Sequence, residues 1–168
     1  FLEDGVEVRV VFPRQRRFVF LPNETFSTME RAYFLDILFR FPIRGGTISS
    51  EYGPRSHPFT GADHFHSGID IAAQSGTGVV AARSGTVVSV NWSDGLGNHI
   101  IIDHGGGFQT LYGHLESVNV SLSQVVDSGT IIGAVGSTGL STGPHLHFEV
   151  KNGEALRDPI PLMRGAGE

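Results

Sequence analysis

All eight histidines of this 168-residue chain lie between residues 57 and 147, and cysteine is absent, so any metal must be held by imidazole and carboxylate. The clearest spacing is His145-Leu146-His147, which leads into Phe148-Glu149-Val150. That run is a strand pattern, and alternation turns residues i and i+2 to one face. Both imidazoles then point the same way, while Leu146 and Phe148 point to the opposite side, toward a core. His66 and Asp70 form a second candidate pair, four residues apart; Gly68 and the β-branched Ile69 and Ile71 argue for a loop entering a strand rather than a helix. A third candidate is Tyr112-Gly113-His114-Leu115, directly after an expected strand, where loop-end polar residues are often placed to act. Two imidazoles and a carboxylate make the three-ligand set of a catalytic zinc site, which keeps its fourth position for water, and His114 and His145 remain available. The combination points to a metal enzyme. His57, His99 and His104 read as hydrogen-bonded structural groups, and His64 is assigned to neither class.

Competing chemistries fail on context. The absence of Cys excludes disulfide scaffolds, cysteine zinc fingers, iron-sulfur clusters and thiol nucleophiles. Gly139-Leu140-Ser141-Thr142-Gly143 matches G-x-S-x-G, yet that motif works only on a strand-turn-helix elbow, and here Pro144 and a strand pattern follow. Gly133, Gly136 and Gly139 resemble a phosphate loop, but no Lys-Ser or Lys-Thr follows. The helical H-E-x-x-H motif is absent as well. No apolar run approaches the roughly 18 residues of a membrane-spanning helix.

The elements that must position these residues are read from texture. Residues 1–45 hold seven of the twelve basic groups, six of the seventeen acidic ones, eight of the twelve Phe and only two of the 23 Gly. The remainder has five basic against eleven acidic groups and repels polyanions, which argues against a nucleic-acid partner. A boundary is therefore expected near Arg44 to Ser50, dividing an accessory segment at 1–45 from a domain at 46–168. In the first part, Val6, Val8 and Val10 alternate with charged residues as a strand over 6–12 would, and Phe18 to Leu21 makes a second short strand. Ser27-Thr28-Met29-Glu30 has capping-box spacing and predicts a helix near 28–39. The chain begins with Phe rather than Met, which leads us to expect a fragment or a processed product. Beyond Gly46 come short β-rich runs separated by Gly: 79–81, 86–90, 100–103, 108–112, 130–135 and 146–150. Strands at about ten-residue spacing without room for crossover helices predict an all-β fold.

The order of motifs carries a further resemblance. Glu51-Tyr52-Gly53-Pro54-Arg55, His57-Pro58, the His66 to Asp70 spacing, Tyr112-Gly113-His114-Leu115 and Ser141-Thr142-Gly143-Pro144-His145-Leu146-His147-Phe148-Glu149-Val150 resemble the LytM or lysostaphin-type zinc endopeptidases, the M23 peptidases of bacterial cell walls. The likeness spans about residues 47–163 and includes Val87, the Gly97-Asn98 pair, Asp103-His104-Gly105 and Asp158-Pro159; it does not reach residues 1–45. The resemblance implies a mostly antiparallel β-sheet forming a groove, one zinc per chain bound by His66, Asp70 and His147, and catalytic roles for His114 and His145. It also implies a peptide substrate in peptidoglycan and a periplasmic or extracellular location. The family's catalytically silent members, which bind cell wall or activate amidases, have usually lost some of these five residues, so retention of all five tilts the expectation to an enzyme. Residues 1–45 are expected to pack as an added element, with a regulatory partner as the other role for such an aromatic segment.

Overall fold

The computed structural model describes residues 39–56 and 61–164. The described residues form fourteen strands in chain order. The first five are β1 (Phe39–Arg40), β2 (Thr47–Ser50), β3 (Gly53–Ser56), β4 (Asp63–His66) and β5 (Ile69–Ala72). Then come β6 (Gly78–Val80), β7 (Gly85–Ser93), β8 (Gly97–Asp103), β9 (Phe108–Val118) and β10 (Val125–Val126). The last are β11 (Ile131–Val135), β12 (His145–Asn152), β13 (Ala155–Arg157) and β14 (Met163–Arg164), with a single 3-10 turn at Ile160–Leu162. The described residues contain no α-helix, so the fold is all-β, as the Gly-punctuated β-rich runs predict. The expected strands at 6–12 and 18–21 lie outside the described residues, as does the expected helix near 28–39 except its last position. Phe39 opens β1.

Ten strands form one sheet whose main path is β10-β7-β8-β9-β12-β5-β2, with β11 joining β6 to β9 and β13 pairing β12. Every pairing within it is antiparallel. A separate antiparallel ribbon, β3 with β4, sets Gly53 opposite His66. Among the described residues the one parallel pair is β1 with β14. Strand alternation buries Leu146, Phe148 and Val150 of β12, Ile100 and Ile102 of β8 and Ile69 and Ile71 of β5 in one core, to which Phe39 and Ile43 also contribute. Tyr112 is fully buried in it; its hydroxyl accepts the Ala82 amide at 2.9 Å and meets the Thr110 hydroxyl at 2.9 Å, so its polar end is satisfied. The opposite face carries Asp70 of β5 and His145, His147 and Glu149 of β12.

Candidate metal and catalytic centre

Register places the candidate residues before any side chain is considered. In the β5–β12 pairing His147 sits opposite Asp70, and across β9 it sits opposite Gly113, next to His114. His66 ends β4 and must turn back over this sheet through Ser67-Gly68. A Cβ on Gly68 would overlap the Phe148 carbonyl oxygen, so only glycine lets the turn lie this close to β12.

Three donor atoms converge. His66 Nε2 is 3.1 Å from Asp70 Oδ1 and 3.1 Å from His147 Nδ1, and His147 Nδ1 is 2.9 Å from Asp70 Oδ1. All three residues are buried, and they form the one His/Asp/Glu group among the described residues whose ligand atoms lie within 4.8 Å of one another. The far side of each ring fixes its tautomer. His66 Nδ1–H donates to the Glu51 carbonyl at 2.7 Å, and His147 Nε2–H donates to Glu149 Oε1 at 3.1 Å. In neutral rings the inward atoms are therefore lone pairs, and two of them face a carboxylate oxygen. Three acceptors about 3 Å apart repel unless a proton or a cation sits between them. The donor set thus suits a metal ion, with nitrogen and oxygen ligands of the kind zinc takes.

The electrostatics agree. Burial alone would raise the Asp70 carboxyl, but a proton donated from the inward nitrogen of His147 or His66 outweighs it and holds the group well below the usual carboxylate range. Burial would lower His147, whereas its bonds to Asp70 and Glu149 raise it to about 8. A proton and a metal ion compete for the same lone pair there. The second oxygen, Asp70 Oδ2, accepts from Arg55 Nη1 at 3.0 Å, and Arg55 Nη1 also bonds Ser50 Oγ. Glu149 in turn accepts the Ser67 hydroxyl.

His114 and His145 stand beside this triangle. Their ring centroids are 4.6 Å apart, His114 lies 6.0 Å from the His147 ring, and His145 Nε2 is 3.7 Å from Asp70 Oδ1. His114 Nδ1–H donates to the Thr138 carbonyl and His145 Nδ1–H to the Gly143 carbonyl, each at 2.8 Å, leaving Nε2 as the lone-pair nitrogen of either neutral ring. Burial, with His145 and His147 nearby, pushes His114 down to about 4 against the opposing Thr138 bond, so its ring is neutral at neutral pH. All five residues line one open groove of about 600 Å³, together with His64, Arg55, Leu140 and the 141–144 loop.

The other histidines divide as follows. His99 bonds the Gly97 carbonyl at 3.0 Å, and His104 bridges the Ser84 carbonyl at 3.0 Å and the Thr110 hydroxyl at 2.7 Å; neither lines the groove. His57 lies outside the described residues. Ser141 of the G-x-S-x-G match sits 3.3 Å from His145 Nδ1, but that nitrogen and the Ser141 hydroxyl both serve the Gly143 carbonyl, so no base is aimed at the serine. Sequence reasoning gave no role to Glu149, Ser67, Arg55 or Thr138. Glu149 had a usable signal, since it follows His147 by two positions on one strand.

Comparison with known proteins gives a consistent result. The family model for Peptidase family M23 matches residues 64–159. The DD-carboxypeptidase/endopeptidase Mpg of Neisseria meningitidis serogroup B is 44% identical over 122 residues, a match covering 72% of this chain and 28% of Mpg. The chain thus spans little more than a quarter of that relative. A crystal structure of a zinc-containing peptidase from Vibrio cholerae is similar at TM-score 0.68 and 36% identity, covering 73% of this chain and 39% of that one. The catalytic domain of lysostaphin from Staphylococcus simulans is similar at TM-score 0.62 and 35% identity, covering 77% and 95%.

Proposed function

Since this chain belongs to peptidase family M23, we propose that it is a zinc-dependent endopeptidase hydrolysing peptide bonds in the stem or cross-link peptides of bacterial peptidoglycan. The observation that carries the reading is the His66–Asp70–His147 donor triangle, with both outward ring nitrogens already committed to acceptors and a neutral His114 in the same groove. Zinc bound by these three residues, one ion per chain, would supply a Lewis acid for the scissile carbonyl and lower the pKa of water.

The chain's own residues do the rest. Glu149 and the Glu51 carbonyl hold the two imidazoles in the tautomers a cation needs, and Arg55 keeps the second Asp70 oxygen engaged. His114 and His145 each carry a lone pair at Nε2. Between them they take the proton of the attacking water and then, as imidazolium, hydrogen-bond the developing oxyanion or protonate the leaving amine. The open groove admits an extended peptide, and the substrate places the activity in the cell envelope, in the periplasm or outside the cell. Residues 1–45 form an accessory segment in this reading and are the place for a regulatory contact.

Loss of a ligand and loss of a base must have different signatures. His147→Ala and Asp70→Ala should lose zinc in metal analysis. His114→Ala should keep zinc and fold while releasing amino groups from purified peptidoglycan about 10² to 10⁴ more slowly. If the zinc-loaded parent releases no more than His114→Ala across several wall chemistries, yet both bind peptidoglycan or switch on an amidase, the protein is a catalytically silent LytM-type module.

A further inference from the structure

His114 adopts φ +59°, a left-handed conformation that a β-carbon disfavours and that carries a cost wherever a non-glycine residue holds it. Something must hold it there, and the sheet alone does not. Its amide donates to the Leu96 carbonyl at 2.7 Å, and its ring Nδ1–H donates to the Thr138 carbonyl at 2.8 Å. Both acceptors belong to loops, one between β7 and β8 and the other after β11, which are clasped together. Leu140 N–H reaches the Gly95 carbonyl at 3.0 Å, and the Thr138 hydroxyl donates to the Leu115 carbonyl at 2.8 Å while accepting the Asn98 amide at 3.1 Å. The Asn98 side chain adds a second donor to the same Leu115 carbonyl at 3.1 Å. The approach is close enough that a Cβ on Gly97 would overlap the Thr138 hydroxyl, and one on Gly139 would overlap the Gly97 amide.

We propose that Thr138 is a positioning residue for His114: its hydroxyl, pinned between Leu115 and Asn98, fixes the carbonyl that holds His114 as the Nδ1–H tautomer. Without that acceptor the neutral ring is free to carry its proton on Nε2, the nitrogen that must be unprotonated to act as a base. The clasp gives a use to Thr138-Gly139 and to Gly97-Asn98, which neither metal binding nor the groove requires. Catalytic use of His114 rests on the function proposed above; the tautomer does not.

The test uses the full zinc-loaded chain, ¹⁵N-labelled, as parent, Thr138→Val and Thr138→Ser. Valine keeps the β-branched shape and removes the hydroxyl, whereas serine keeps the hydroxyl. We expect the His114 ring nitrogens of the parent to read as protonated at Nδ1 and bare at Nε2, Thr138→Val to shift toward protonation at Nε2, and Thr138→Ser to return the parent pattern. In turnover of a peptidoglycan peptide, kcat of Thr138→Val should fall about 10- to 100-fold with KM and zinc content unchanged, a loss in the range known for misplaced catalytic groups. Parent-like ring nitrogens in Thr138→Val overturn the proposal whatever the rate does. So does a parent protonated at Nε2. A parent with the expected nitrogens but no turnover counts against the proposed function, and the comparison of nitrogens still decides this inference.

Discussion

At the scale of single residues, the donor triangle depends on what lies behind His66, Asp70 and His147. Glu149 touches no position where a metal would sit, yet it receives the outward N–H of His147 and the hydroxyl of Ser67. Removing such a partner typically weakens metal binding about 10- to 100-fold. We expect Glu149→Ala to fall in that range in a chelator competition, and Glu149→Gln, whose amide oxygen still accepts the ring proton, to lose less. An unchanged affinity in Glu149→Ala would mean that His147 is oriented by the sheet alone. This residue also marks where reading the sequence stopped short. Alternation placed His145 and His147 on one face, and the same rule puts Glu149 there; but a carboxylate beside a core strand has no chemistry until a particular nitrogen is seen to point at it. Arg55 was visible as part of a motif and had no role, because its partner Asp70 is fifteen residues away on another strand.

At the scale of elements, the strands rich in apolar or β-branched residues were legible and those without them were not. Residues 79–81, 86–90, 100–103, 108–112, 130–135 and 146–150 all fall on or beside β6, β7, β8, β9, β11 and β12, since each is a short run rich in apolar or β-branched residues. β9 runs on to Val118, past Gly113 and the left-handed His114, because pairing with β11 continues beyond the point where local pattern breaks. The β3–β4 ribbon holds His66 and Arg55 yet shows no such pattern: Gly-Pro-Arg-Ser is held as a strand by its partner rather than by propensity. What brings that ribbon to the sheet is the turn at Gly68. Gly68→Ala forces a methyl group into the Phe148 carbonyl, and overpacking of this kind costs about 1–3 kcal/mol. Urea unfolding should show that loss, and metal analysis should show weakened zinc retention because His66 is carried on the same turn. A variant as stable and as zinc-rich as the parent would show that the ribbon can move away without cost.

Across the whole molecule, acid stability is set partly by a histidine with no place in the groove. Burial lowers His104 from its ordinary value of 6.5, with Arg83 adding to the effect and the Ser84 carbonyl and Asp103 opposing it. Its unfolded form therefore takes up a proton more readily than its folded form, and below about pH 6.5 the unfolded chain gains. Stability should fall as pH drops through this window. His104→Gln should flatten that part of a melting-temperature profile measured against pH, and an unaltered slope would assign it to other groups. Composition marked a change of texture near Gly45, but packing is decided by individual side chains: Phe39 and Ile43, from the Phe-rich side, are buried among β-strands that come much later in the chain, and the Phe39 ring stands edge-on to both His104 and Phe108 at 5.4 and 5.9 Å.

The β1–β14 pair has a mechanical consequence. Because these strands are parallel, with Phe39 beside Met163 and Arg40 beside Arg164, the backbone enters the unit at one end of the pair and leaves it at the other. Tension applied along the chain from both sides therefore loads the pair in shear, so that its bonds, together with that from the Arg40 amide to the Ala82 carbonyl, share the pull rather than opening one after another. The histidine-lined groove is insulated from a tug on either flank for as long as that small clamp holds.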